Sequence, residues 1–362
     1  MSGTSLDGLD IAAVTFSGTG RFPAFSVDKT GYVPMPDTLK QAIRTAFTGT
    51  AEQVCLLNRD IGEFFAASVK EFMQTLPFGI TPDAIASHGQ TVWHRSGYAT
   101  LQIGDADFIA KRTGLPVLFD FRPADTVFGG TGAPLVPAFD LLLAHPYNTA
   151  TVFQNLGGIG NLTYIPAEQP DRLCAFDTGP ANMLLNNLTE IYTDGAQAMD
   201  TDGRLAAAGQ VLPAVLAHLM SHPYLQLAPP KSAGHEDFGM HYCRELASRF
   251  SIHRAEDVLR TAVRFVACVA ADAYRRFCPG YQRVILSGGG IRHPVLKADF
   301  ADVLAGSAVA EFETVFGFNP DYKEAAAFAY LGWCRCRGIP SNVPSATGAA
   351  QPVCLGKLAF PA

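Results

Sequence analysis

Apolar residues recur along this chain in two rhythms. Between residues 51 and 76, Val54, Leu57, Ile61, Phe64, Phe65, Val69 and Phe72 fall at helical spacing, and Pro77 and Gly79 close the run. The same spacing carries Val258, Leu259, Ala262, Phe265, Val266 and Val269 through residues 255–277. Both stripes read as core-facing. Short apolar runs of strand length alternate with them, at 11–16, 84–86, 115–119, 151–153, 162–165, 174–176 and 283–286. Strands interleaved with helices predict an α/β fold.

The punctuation supplies further expectations. Residues 18–31 read as turns and short extended pieces. Asp37 is expected to cap a helix after Pro36, and Asp105 one that ends before Gly114. Residues 133–139 begin a helix, and 199–203 lead into one running to His222. The Pro- and Gly-rich tail, 341–362, reads as an extended wrap.

Polar groups gather where apolar strands stop, which is where ligands sit in open α/β sheets. In the first ten residues, Gly3 and Gly8 bracket the hydroxyls of Thr4 and Ser5 and the carboxylate of Asp7. Such a turn lets backbone N–H groups approach an anion, and Asp7 can hold a magnesium ion that screens phosphate charge. A plain polar turn would read the same way. Residues 84–86 run into Ser87-His88-Gly89-Gln90-Thr91, where His88 is either a site residue or a satisfied buried histidine. Residues 115–119 run into Asp120, Arg122 and Asp125, near Gly129 and Gly130, a cluster suited to a sugar or a phosphate.

The composition then repeats in kind. Residues 151–153 and 162–165 flank the glycine turn 155–161, a hairpin like that at the N-terminus. Two halves that each begin with a glycine-turned hairpin suggest a duplicated architecture with a cleft between them. The expected domains are 1–148 and 149–362. Residues 174–176 end in Asp177-Thr-Gly-Pro180, where Asp177 is either a general base at the sheet edge or a helix N-cap. Lys231, after Pro229 and Pro230, is a phosphate contact or plain surface. Residues 283–286 run into Ser287-Gly288-Gly289-Gly290, whose bare backbone can pack against a nucleotide. Glu324 falls in the first turn of the last helix.

Size and charge narrow the classes. The chain has 362 residues, 48% of them hydrophobic and 17% charged, which supports about two well-filled domains and excludes a disordered chain. The net charge of −6 argues against a general nucleic-acid surface, so an anionic substrate must be met by local cations or backbone N–H groups. No apolar run reaches the roughly 18 residues of a membrane span, and no basic and apolar leader is visible at the start. The eight cysteines are scattered without zinc spacing and read as reduced thiols of a cytoplasmic protein.

The motifs Met-Ser-Gly-Thr-Ser-Leu-Asp-Gly (1–8), Ser-His-Gly-Gln-Thr (87–91), Asp-Phe-Arg (120–122) and Gly-Ala-Pro-Leu-Val-Pro-Ala-Phe (132–139) together carry a resemblance. So do Asn-Leu-Gly-Gly-Ile-Gly-Asn (155–161), Phe-Asp-Thr-Gly-Pro (176–180), Ser-Gly-Gly-Gly (287–290) and Glu-Ala-Ala-Ala-Phe-Ala (324–329). The chain resembles the anhydro-N-acetylmuramic acid kinase family, in the sugar kinase, heat-shock protein and actin superfamily. The resemblance implies a two-lobed, actin-like, ribonuclease H-like α/β fold with an interlobe active-site cleft. It implies a kinase that uses ATP and Mg2+ to open the 1,6-anhydro ring of 1,6-anhydro-N-acetylmuramic acid and phosphorylate O6. The product is N-acetylmuramic acid 6-phosphate, in peptidoglycan recycling.

Carried over by motif, Gly3, Thr4, Ser5, Leu6, Asp7, Gly8, Leu9 and Asp10 form the first phosphate loop, with Asp7 on the metal. Asn155, Gly157, Gly158, Gly160 and Asn161 form the second, and Gly288, Gly289 and Gly290 lie on the adenosine side. Asp177 matches the base that activates water. His88, Gln90, Asp120, Arg122, Gly130 and Glu324 are expected on the sugar side. The resemblance also implies a homodimer with no nucleic-acid or membrane partner. Family members have a strand ahead of Met-Ser-Gly-Thr-Ser, whereas the given sequence begins at that motif. The expectation is a late start or a truncation that leaves residues 10–16 without a neighbouring strand and weakens ATP binding. Two other readings stand beside this one, a related hexosamine kinase and a non-catalytic ATP-binding regulator of the same fold.

Overall fold

A computed structural model of the protein describes residues 1–3 and 6–361. The chain divides into two units, residues 147–320 and residues 1–146 with 321–362. In the 147–320 unit, β7 (Thr151–Leu156), β8 (Ile159–Ile165) and β9 (Cys174–Pro180) form an antiparallel meander. Two further strands, β10 (Arg283–Ser287) and β11 (Ala308–Glu311), add in parallel on the far side of β7. The order β11-β10-β7-β8-β9 is that of a ribonuclease H-like sheet.

β7 and β10 are buried at nearly every position because both faces of this sheet are covered. The helix Ala255–Phe277 buries Leu259, Ala262, Phe265, Val266 and Tyr274 in the same core as Val152, Leu184, Leu188 and Val284.

In the other unit, β1 (Gly8–Ser17) and β2 (Ala24–Pro34) form a long antiparallel hairpin. β3 (Ile85–Ala86) lies parallel to β6 (Val117–Phe119), with β4 (Gln90–Arg95) and β5 (Ala99–Ile103) a separate hairpin between them in sequence. The helix Ala51–Gln74 begins with a capping box formed by Thr50 and Gln53. It buries Leu57, Ile61 and Phe65 against Leu9, Ile109 and Val117. The helix Lys323–Cys336 packs on β1 and β3.

Several expectations change. Residues 18–31 contain most of a ten-partner strand, β2, so β1 has a full neighbour on one edge. Alternating Phe25, Val27 and Lys29 suit a half-covered strand, although Gly18, Gly20 and Gly31 resemble turn residues. Asp37 is the first helical residue, and Pro36 holds the cap position. The run to His222 breaks into Arg204–Ala207 and Pro213–Met220, and His222 itself caps a further short helix, Pro223–Gln226; a proline opens each of the last two. Residues 321–362, expected with the second half, belong with the first. The reason is apolar: Ala326, Ala327, Tyr330 and Leu331 are buried there, and β12 (Lys357–Ala359) pairs antiparallel with β6. All eight cysteines are free. Cys334 is buried and Cys336 exposed, as their spacing on a helix requires.

Candidate functional site

In the 147–320 unit the expected site residues collect at one end of the sheet. Asn155 and Ser287 are register partners on β7 and β10, so the turn 156–159 and the turn 288–290 lie side by side. Their contact is tight. A Cβ on Gly288 (φ +85°) would stand 2.5 Å from Asn155 Oδ1, and one on Gly290 2.8 Å from the Leu156 Cβ. The helix Asn182–Tyr192 starts against the same turn: the backbone N–H groups of Asn182 and Met183 donate to the carbonyls of Gly157 and Gly158, and the Asn182 amide donates to Leu156 O. Thr178 is held by donating to Gly160 O, and Tyr274 donates to Gln154 beneath.

Three glycines here answer to nothing in the fold. Gly157, Gly158 and Gly289 have ordinary backbone angles, and a Cβ on them would come no nearer than 3.4, 3.8 and 3.6 Å to any neighbour. Packing tolerates alanine at each. A missing side chain at three adjoining positions with room for one is what close approach of a ligand to backbone requires.

Asp177 is the register partner of Asn161, inside β9 and not at its end. Ala181 holds the position before the next helix, so Asp177 is no N-cap. A loop clasps it. Ala233 N–H donates to Asp177 Oδ2 at 2.9 Å, Asp177 N–H donates to Lys231 O, and Tyr224 OH donates to Asp177 O at 2.7 Å. Burial pushes its carboxyl above the usual range, against the pull of the Ala233 N–H and the Lys231 charge. The Lys231 ammonium sits over the rings of Tyr224, Phe277 and Phe176, and burial lowers its pKa.

In the first unit, the expectations for Thr4 and Ser5 lie outside the described residues. Leu6 has φ +56°, rare for leucine, and its side chain is buried in the core beside Leu9 and Met35. Gln90 is fully buried and ties strand to loop: Ser2 Oγ donates to its Oε1 at 2.6 Å, and its Nε2 reaches Gly3 O. Burial pushes the Asp10 carboxyl up to about 6, with the Met1 ammonium opposing and the charges of Asp7, Glu324 and Asp321 adding. Glu324, Asp7 and Asp10 therefore share one acidic field.

Arg122 donates to His88 Nε2 through Nε at 3.1 Å and to Gly132 O through Nη1 at 2.8 Å. His88 packs on Phe328 with ring centroids 4.6 Å apart. Asp120 goes elsewhere: its carboxylate takes the Lys357 ammonium at 2.6 Å. Gly130 is glycine because a Cβ would overlap the Asp125 carboxylate. Asp125 itself, fully buried, accepts from Gly132 N–H, Asn342 Nδ2 and Thr347 Oγ1 and fastens the tail to the glycine loop.

His88 yields a pH prediction. Burial first, then the Arg122 charge, lowers its pKa to about 3, so the imidazole is neutral in the fold. Unfolded, it takes a proton near 6.5. Its contribution is therefore full above pH 6.5 and is lost as pH falls towards 3, about 2 kcal/mol of it by pH 5. The Tm should drop between pH 7 and pH 5, and His88→Gln should flatten that drop. An equal drop in both proteins removes His88 as its source.

Some residues that build the site were not legible beforehand. Tyr224, Ala233 and Asn182 act through long-range contacts with no motif of their own. Ser2 differs, because its place in the first motif was a usable signal.

A ribonuclease H-like sheet with bare glycine turns at one end of its strands and a clasped carboxylate within β9 fits a phosphotransferase of the α/β class. The anhydro-N-acetylmuramic acid kinase family profile matches residues 1–361. A relative named anhydro-N-acetylmuramic acid kinase from Bacillus cereus (strain AH820) is 38% identical over 376 positions, covering 100% of this chain and 98% of its own. One of the same name from Bacillus anthracis matches equally. The chain belongs to the anhydro-N-acetylmuramic acid kinase family. Among solved structures, the ethanolamine utilization protein EutJ from Carboxydothermus hydrogenoformans is 14% identical with a TM-score of 0.36, over 89% of this chain and 85% of that one. That level of likeness adds nothing to the fold argument.

Proposed function

We propose that this protein opens the 1,6-anhydro ring of anhydro-N-acetylmuramic acid with water and transfers the γ-phosphoryl group of ATP to O6, in the cytoplasm. The observation that carries the nucleotide side is the trio of glycines that the fold does not need, Gly157, Gly158 and Gly289. Their N–H groups, with those of Gly160, Gly288 and Gly290 and the polar ends of Asn155 and Asn161, serve the phosphates and the adenosine. Residues 3–10 serve as the first phosphate loop and residues 155–161 as the second. Among the described residues there is no cluster of three or more metal-ligating side chains. Mg2+ needs only one or two carboxylates alongside substrate phosphates. The acidic field around Asp10 fits a cation, and Asp7 would hold it, where it would screen phosphate charge.

The chemistry balances with one base. Asp177 takes a proton from water as the oxygen adds to C1. The C1–O6 bond breaks, O6 accepts the phosphoryl group, and ADP leaves. Burial raises the pKa of Asp177, which makes its carboxylate a stronger base than an exposed aspartate. His88, Gln90, Arg122, Gly130 and Glu324 serve the sugar side. In this reading His88 and Arg122 act as a preformed pair, and Asp120 contributes through its tie to Lys357.

Incubation with ATP and either the anhydro sugar or a free hexosamine, read by mass spectrometry, tests the proposal. The anhydro sugar should gain the elements of water as well as phosphate. Phosphorylation of the free hexosamine alone would favour the related sugar kinase, and ATP binding without turnover of any amino sugar would favour a regulator.

A further inference from the structure

The Lys231 ammonium lies within electrostatic reach of the Asp177 carboxylate and is held there by rings. Lys231 is half-buried on the loop between the helix Pro223–Gln226 and the short helix His235–Phe238. Its carbonyl accepts the Asp177 N–H, so the loop bonds to the outer edge of β9, the last strand of the sheet. The side chain carries its ammonium to 4.7 Å from the ring centre of Tyr224, 5.6 Å from that of Phe277 and 5.8 Å from that of Phe176. Those rings come from three elements: the helix Pro223–Gln226, the end of the helix Ala255–Phe277, and β9 itself. Aromatic faces attract a cation, so the cage favours the charged lysine.

A carboxylate would be the ordinary partner. Among the described residues none bonds to this ammonium, and Asp272, the nearby acid on the helix Ala255–Phe277, goes to Arg276 at 3.4 Å. The Asp177 carboxylate is left divided. Its Oδ2 accepts from Ala233 N–H, and its Oδ1 takes no hydrogen bond from the described residues. A direct ion pair with Lys231 would occupy that open oxygen and weaken it as a base. A charge seated on rings nearby favours the ionised carboxylate and leaves Oδ1 open to water.

We propose that Lys231 is a positioning residue for the reaction, a caged cation that keeps Asp177 ionised through space without bonding to it. This rests on the reading of Asp177 as the base. The other charges around the pair do not replace Lys231. Asp272 and Arg276 face it from the helix Ala255–Phe277 and, being paired, largely offset each other. Asp237 acts on the Tyr224 side and is an acid, and the Tyr224 hydroxyl is spent on the Asp177 carbonyl.

The sign of the effect follows. Burial pushes the Asp177 carboxyl up, and the Ala233 N–H and the Lys231 charge pull it down. With Lys231 made neutral, the carboxyl should hold its proton to higher pH.

The test follows the Asp177 carboxyl itself by 13C NMR in protein labelled at its aspartate carboxyls, with the signal assigned by its loss in Asp177→Asn. The pH profile of kcat/KM is measured beside it. Lys231→Met keeps an apolar stem among the rings and should move both the carboxyl titration and the acidic limb up by about one pH unit. Lys231→Arg should return both, because a guanidinium also seats on aromatic faces. Lys231→Gln is the second neutral variant, used if Lys231→Met does not fold. A carboxyl titration that the neutral variants leave in place overturns the inference. So does an upward shift that Lys231→Arg fails to reverse, since the cause would then be a disturbed loop and not a lost charge. A titration that moves while the acidic limb stays put upholds the charge effect and removes Asp177 as the base, so the two failures are told apart.

Discussion

Asp177→Asn is expected to lower kcat by about 10³-fold or more while leaving ATP affinity within about two-fold. The side chains are nearly isosteric, and the asparagine oxygen still accepts from the Ala233 N–H, so the 231–233 clasp persists. What is lost is the basic oxygen that takes the proton from water. The same carboxylate sets a pH dependence. Its pKa is raised by burial, so it is ionised above that value and protonated below it. The acidic limb of kcat/KM should therefore lie above the ordinary carboxylate range, with activity falling as pH falls through it. Turnover retained by the Asp177→Asn enzyme would remove Asp177 from the base role.

Two neighbouring glycines should fail differently. Gly288→Ala forces a Cβ into a backbone with φ +85° and within 2.5 Å of Asn155 Oδ1. Strain and overlap together should cost about 3 kcal/mol and lower the Tm sharply. Gly289→Ala meets nothing within 3.6 Å and has ordinary angles. Its Tm should stay within about 1 °C, since surface changes away from special features are nearly neutral. Its KM for ATP should rise about 10-fold, because the added methyl occupies ligand space. Thermal melts and ATP titrations of both variants check this. If Gly289→Ala binds ATP normally, the glycine there serves no ligand.

The strands β1, β7, β8 and β10 were legible because apolar runs bounded by glycine or charge have few other readings. The glycine turns were legible as ligand turns, but not the division of labour within them. Only packing separates Gly288, required by Asn155, from Gly289, required by nothing in the fold. β2 is hard to read because its residues are half-covered and Gly18, Gly20 and Gly31 mimic turn residues. The 321–362 segment was misallotted because chain order carries no record of a return to the first unit. Asp120 shared a motif with Arg122, yet Lys357, 237 residues away, takes its carboxylate. No local pattern encodes that pairing.

The most direct measurement runs the reaction with anhydro-N-acetylmuramic acid and ATP in 18O-labelled water, quenched early. The account predicts one 18O per product, in the sugar at C1, and none in the phosphate on O6. Product without label in the sugar, or with label in the phosphate, would contradict a water activated by Asp177 opening the ring.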